Sequence, residues 1–211
     1  MKYCIFLATT IIVDENSRLF KFNQLEKNEK RLKQYERGIE KVVKLNDKYN
    51  LDIYIADNGF NFEEKLKINK KIKILKENPN NFGKINKGAG LIEVWMKNID
   101  TIKKYDYVIH FEPRQLLIDN YFIDNFMKNP RTLFTMNVNT TGAYNTGLFA
   151  CKPDELFNFI ECISPEILIK SNLSIEYVMY NFFTENKISF DILDRMSLIW
   201  YDTQAKREYN W

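Results

Sequence analysis

Tyr105-Asp106-Tyr107-Val108-Ile109-His110-Phe111-Glu112-Pro113-Arg114 is an apolar, β-branched and aromatic run that stops at a carboxylate, a proline and a guanidinium. Such residues favour strands, and a run that is apolar at consecutive rather than alternate positions suits a strand buried on both faces. A strand of that kind delivers its terminal charge into a cleft at the sheet edge instead of into bulk water. Just upstream, Asn81-Phe82-Gly83-Lys84-Ile85-Asn86-Lys87-Gly88-Ala89-Gly90 reads as a glycine-punctuated loop opening a helix, and such loops bring backbone N–H groups close to phosphate. Together the two segments point to a nucleotide-binding α/β enzyme.

Outward from there the chain alternates between strands and helices. A first strand is predicted from Lys2 to Thr9, then a long helix from about Asn23 to Tyr49, in which Leu25, Leu32, Tyr35, Ile39, Val42 and Val43 recur near helical spacing among lysines and glutamates. The lysines read as the wet face of the helix. Strands follow at Leu51 to Ala56 and Lys71 to Lys76, and a helix from Gly90 to Ile99 leads into the opening strand. The second half is more mixed: helices at Asp119 to Asn129, Pro153 to Ile163 and Leu173 to Asn186, with strands at Arg131 to Val138, Thr146 to Cys151, Ser189 to Leu193 and Met196 to Tyr201. This order predicts a mostly parallel sheet with helices on both faces and a mixed C-terminal half. No repeat or composition break divides residues 1–211, so one domain is expected, with a nucleotide-binding half (1–118) and an acceptor-side half (119–211).

Composition narrows the partners. Lys and Arg total 31 against 28 Asp and Glu, and a net charge of +3 does not argue for nucleic acid. The three cysteines, Cys4, Cys151 and Cys162, are far apart and set in apolar runs, which reads as reduced core thiols and a cytoplasmic setting. Met1-Lys2 and the apolar run Tyr3 to Val13 imitate a secretory signal, but no small-x-small cleavage site follows and Thr9-Thr10-Ile11-Ile12-Val13 favours a strand.

The predicted strand ends carry the candidate chemistry, because ligands in open α/β sheets bind beyond the carboxyl ends of the strands. Asp57, in Asp57-Asn58-Gly59, can accept hydrogen bonds from a base imide or a ribose, with Thr9 or Thr10 orienting the same group; the tripeptide is equally an ordinary turn. The 81–90 loop is neither a Walker loop nor a Gly-x-Gly-x-x-Gly motif. Its lysines, Lys84 and Lys87, can supply point charges to an anion while Gly88 and Gly90 allow close backbone approach, or the glycines can simply form a helix entry. The Glu112 oxygens suit Mg2+ or Mn2+ bridging to a diphosphate, Arg114 can bind phosphate bidentately without a metal, and the two can also form a plain surface pair. His110, within the strand, reads as a core residue.

In order and spacing these segments resemble the GT-A glycosyltransferases of the family 2 type over almost the full length. Ala56-Asp57-Asn58-Gly59 stands where that family has Asp-Asp-Gly-Ser, Asn81 to Gly88 where it has an Asn-x-Gly loop, and Tyr105 to Glu112 where it has the strand ending in Asp-x-Asp. The resemblance implies a Rossmann-like GT-A fold and transfer of a sugar, with inversion, from a nucleotide-diphosphate donor, a uridine one, to a hydroxyl of a glycan or glycolipid acceptor. It implies donor contacts from Thr9, Thr10, Asp57, Asn58, Lys84, Lys87 and Arg114, and a place for Glu112 at an Mn2+ or Mg2+ ion. Thr146-Gly147-Leu148-Phe149 resembles the later turn that lines the sugar site through Gly147, and Ser174-Ile175-Glu176 resembles the helix start that supplies the general base, Glu176. The departures are Phe111-Glu112-Pro113-Arg114 in place of Asp-x-Asp and Asn58 and Phe60 in the first motif. A sugar nucleotidyltransferase and a noncatalytic nucleotide-sugar or glycan-binding module are the rival readings. Trp200-Tyr201 and Tyr209-Asn210-Trp211 can stack on an acceptor sugar, sit at a membrane interface as a peripheral contact, or pack in a core or dimer.

Overall fold

In the computed structural model of the protein, the residues described are 1–13, 28–59, 69–75, 81–135, 142–195, 197–202 and 207–210. The strands are β1 (Tyr3–Thr9), β2 (Asp52–Asp57), β3 (Ile72–Ile74), β4 (Tyr107–Phe111), β5 (Leu116–Leu117), β6 (Leu133–Thr135), β7 (Leu148–Cys151), β8 (Asp191–Leu193), β9 (Leu198–Asp202) and β10 (Arg207–Asn210). The helices are α1 (Asn28–Asn46), α2 (Lys87–Ile102), α3 (Tyr121–Lys128), α4 (Pro153–Cys162), α5 (Pro165–Ser171) and α6 (Ile175–Glu185).

The main sheet runs in the order β3-β2-β1-β4-β7-β6-β8, and β10-β9-β5 form a small second sheet. β1 pairs in parallel with β2 and with β4, and β2 in parallel with β3. The character changes at β4, whose other edge pairs antiparallel with β7. This is the predicted α/β arrangement, a largely parallel half followed by a mixed one. The strand order also reverses at β1: the chain steps outward to β2 and β3, then returns to place β4 on the other side of β1. A crevice beyond the carboxyl ends of β1 and β4 follows from that reversal.

Alternation along β1 explains the layers. Ile5 and Leu7 face α1 and α3, packing with Ile39, Val42, Phe122 and Phe126. Cys4, Phe6 and Ala8 face the opposite way, toward α2 and the helices α4 to α6, through Ala89, Ile92, Trp95, Phe159 and Met179. With both faces covered, the inner strands carry apolar residues at consecutive positions, with polar residues chiefly at their ends. His110 lies in this second core: Trp95 Nε1 donates to its Nδ1 at 3.3 Å, Phe149 stacks on it at 4.8 Å, and burial pushes its pKa down to about 3.

Caps set the helix starts. Asn86 accepts from the Ala89 N–H at 3.0 Å, so α2 begins at Lys87, earlier than the predicted Gly90. Ser174 caps α6 by accepting from Tyr177 N at 3.4 Å. Glu155 reaches back to the Lys152 N–H at 3.1 Å to open α4. Helix α5, not anticipated, starts on Ser164 as cap with Pro165 in the first turn.

Some expectations are corrected. Arg31 of α1, which the sequence reading did not single out, is 4% exposed. Cys4 and Cys151 are buried thiols, but Cys162 is exposed at the end of α4. The predicted ends at residues 23–27, 76 and 136–138, together with the side chains of residues 200–211, lie outside what is described. Among the described residues no helix is long and apolar enough to cross a membrane.

Candidate active site

The crevice beyond β1 and β4 has two unlike walls. On the β1–β2 side the polar groups satisfy one another. Asp57, at the end of β2, is buried; its Oδ2 accepts from Thr9 Oγ1 at 2.5 Å and Ile11 N at 3.0 Å, and its Oδ1 accepts from Gly59 N at 2.6 Å. The Asn58 N–H donates to the Thr9 carbonyl at 2.9 Å. These bonds lash the ends of β1 and β2 together. Thr10 is held by its backbone: its N–H donates to Tyr35 Oη at 3.1 Å, and its carbonyl accepts from Arg31 Nη2.

The other wall gathers charge. The Glu112 N–H donates to the Gly147 carbonyl at 2.8 Å, and Gln115 N to the Glu112 carbonyl at 3.1 Å, so the chain turns sharply off β4 and brings Arg114 back. Arg114 Nε lies 3.8 Å from Glu112 Oε1; the arginine side chain is 11% exposed and the glutamate 39%. On the same wall Glu176, in the first turn of α6, accepts from Thr146 Oγ1 at 3.3 Å. Gly147, next in that turn, donates its N–H to Asn145 Oδ1 at 2.8 Å. The turn at 146–147 thus touches Glu112 through its backbone and Glu176 through its hydroxyl.

Lys87 stands between these groups. Its side chain reaches solvent, yet the protein around it and the neighbouring Arg114 push its pKa down to about 8; Arg31 acts in the same sense, and Glu112 and Glu176 oppose it. The structure therefore brings Lys87, Glu112, Arg114, Glu176, Thr146 and Gly147 together, with Asp57, Thr9, Thr10 and Asn58 on the braced wall. Lys84 lies exposed in the turn before Asn86. Gly88 serves packing: a Cβ there would come within 2.8 Å of Ile175 Cβ and 2.9 Å of Leu168 Cδ2, so its bareness lets α2 lie against α5 and α6.

Arg31 is the residue that sequence reasoning passed over. Burial lowers its pKa, and among its charged neighbours Arg114 acts in the same direction while Glu112 and Asp57 oppose. Its guanidinium carbon lies 5.8 Å from the centroid of the Tyr35 ring. A signal was present: Arg31 shares the stripe of Tyr35, Ile39 and Val42 at helical spacing, which places it on the inward face.

A divalent metal fits the donors present poorly. Among the described residues no group of three or more His, Cys, Asp or Glu side chains is placed to hold one. Glu112, the acid at the end of β4, already faces Arg114, whereas Mg2+ and Mn2+ take oxygen ligands.

No family model matches the chain, and no curated protein matches it. Solved structures do. A protein described as a nucleotide-diphospho-sugar transferase, from Desulfovibrio desulfuricans G20, superposes with a TM-score of 0.54 at 12% identity, over 92% of this chain and 80% of that one. A cytidylyltransferase from Leptospira borgpetersenii serovar Hardjo-bovis (strain JB197) does so with a TM-score of 0.54 at 14% identity, over 92% of this chain and 76% of that one. At such identities the likeness is one of architecture: this chain is built on the Rossmann-like α/β fold that these structures share.

Proposed function

We propose that the protein is a glycosyltransferase that moves one sugar from a nucleotide-diphosphate donor, a uridine one, to a hydroxyl of a glycan or glycolipid acceptor, with inversion. The observation that carries this reading is the gathering of Glu176, at the start of α6, with Lys87, Glu112 and Arg114 at one end of the sheet. The acceptor oxygen attacks the anomeric carbon as its proton passes to the Glu176 carboxylate. The bond from that carbon to the diphosphate breaks, and the nucleotide diphosphate leaves with the electron pair toward Arg114 and Lys87. The hydroxyl of Thr146 orients the Glu176 carboxylate, since it donates to one of its oxygens.

The test is transfer from uridine-diphosphate sugars across an acceptor panel, alongside calorimetric binding of the donors. Turnover with at least one donor and acceptor is expected; absence of binding by every nucleotide sugar sinks the reading. Donor binding without transfer or hydrolysis would instead favour a noncatalytic binding module.

The likeness to a cytidylyltransferase favours one second reading, synthesis of a nucleotide sugar from a nucleoside triphosphate and a sugar phosphate. That chemistry uses a glycine-rich, basic loop directly after the first strand to cradle the triphosphate. Here Thr10 to Asn16 contains no glycine and no basic residue. Release of pyrophosphate on mixing a nucleoside triphosphate with a sugar 1-phosphate would establish it over transfer to a glycan.

A further inference from the structure

We propose that three cations from three separate elements, Arg31 of α1, Lys87 of α2 and Arg114 of the β4–β5 turn, form a cradle that neutralises the ligand's diphosphate directly, in place of a divalent ion. The identity of the ligand rests on the reading above; the chemistry of the cradle does not.

Three observations converge on it. The first is placement: Arg31 lies within the electrostatic influence of Arg114, and Lys87 within that of both. Their mutual position is set by packing, because a Cβ on Gly38 would collide with the Pro113 carbonyl. Helix α1 can approach the turn that carries Arg114 only because residue 38 is glycine, and Arg31 lies two turns earlier on the same helix. The second is an unmet need. Arg31 is 4% exposed and spends Nη2 on the Thr10 carbonyl, while its Nε finds no hydrogen-bond partner among the described residues. A buried guanidinium with an unused donor beside another guanidinium is costly, and an anion relieves both the donor and the repulsion. The third is the donor set. The nearby acids are too few for a metal: among the described residues no three acids, histidines or cysteines are grouped to hold one, and the oxygens of Asp57 accept from Thr9, Ile11 and Gly59. Guanidinium forks, by contrast, match phosphate oxygens, and an ammonium adds a point charge. The lowered pKa values of Arg31 and Lys87, owed first to burial, accord with the same crowding.

The experiment is calorimetry on the full chain with two probes, inorganic pyrophosphate and uridine diphosphate, in chelator and again with Mn2+. Both probes are expected to bind in chelator, to weaken as salt rises, and to be little changed by Mn2+. Arg31→Met is expected to lower pyrophosphate affinity roughly tenfold or more, with Arg31→Lys recovering part of the loss. Should Arg31→Met fail to fold, Arg114→Gln, nearer the crevice mouth, must show the same loss, and the chelator experiment on the unaltered chain needs no variant. Binding of both probes only after Mn2+ is added overturns the cradle and leaves the nucleotide-sugar reading standing. Pyrophosphate binding in chelator without uridine diphosphate binding keeps the cradle and removes that reading. No binding of either probe in either condition removes both.

Discussion

The two walls of the crevice are built on opposite principles. On the β1–β2 wall a buried carboxylate is saturated by donors of its own chain: Asp57 takes Thr9, Ile11 and Gly59. On the β4–α6 wall, Glu112, Arg114 and Glu176 all act on Lys87, and Arg114 Nε stands 3.8 Å from Glu112 Oε1, a loose ion pair. One wall is a brace whose polar groups are consumed by folding; the other holds its charges apart. Charge kept at a distance within a crevice is available to a ligand, and charge fully paired is not.

The largest effect is expected from Asp57→Ala. It strands three donors and is expected to cost about 3 kcal/mol or more of folding stability, read by urea unfolding, because each unsatisfied buried partner costs about 1–3 kcal/mol. Weaker nucleotide binding with unchanged stability would move Asp57 from the brace to the ligand side. Next comes Glu176→Gln, which is expected to spare donor binding and lower turnover roughly a hundredfold, within the range for loss of a general base; full activity in that variant rejects the assignment. Gly38→Ala is expected to cost about 1–3 kcal/mol, as overpacking does, and to weaken diphosphate binding as well because α1 and the Pro113 turn part. Unaltered binding in that variant would uncouple Arg31 from Arg114.

The smallest effect is the pH dependence of diphosphate binding. An anion favours protonated Lys87, so binding raises a pKa that starts at about 8 in the free protein. Affinity is then full below pH 8 and declines as pH rises through 8, by roughly threefold to tenfold per unit at most. The groups facing Lys87 include Arg31 and Arg114, which stay charged, and Glu112 and Glu176. Lys87→Met should flatten the profile; a decline that persists in that variant assigns it elsewhere.

Much of the architecture was legible because burial on both faces writes itself into consecutive positions. The runs at 3–8, 53–56 and 107–111 are mostly apolar at consecutive positions, and each lies in a strand of the main sheet. What escaped was short or topological. β5 has two residues, too few for a period, and α5 was hidden although Ser164-Pro165-Glu166 is a good helix opening. The charged cluster was legible where charge interrupts an apolar run, as at Glu112 and Arg114, stands in a glycine-punctuated loop, as at Lys87, or opens a helix, as at Glu176. Arg31 was not, since its neighbours come from the crossing of α1 over the Pro113 turn, which no local pattern records. For Asp57 the sequence left turn and ligand contact open, because both use the same residues; the three donors around it are tertiary contacts that no local pattern records.

The pairing of β1 on both edges carries a consequence for how the chain reaches its native state. Its first edge is filled by β2, about fifty residues away, but its second waits for β4, with Tyr3 opposite Tyr107, about a hundred residues on. Contacts of such sequence separation are slow to close, since loop entropy is lost before pairing rewards it. The end of β4 joins the sheet only once β4 has docked, so a chain folded through β3 alone holds Asp57 without Glu112 and Arg114 beside it. Recovery of ligand binding should therefore trail recovery of secondary structure during refolding.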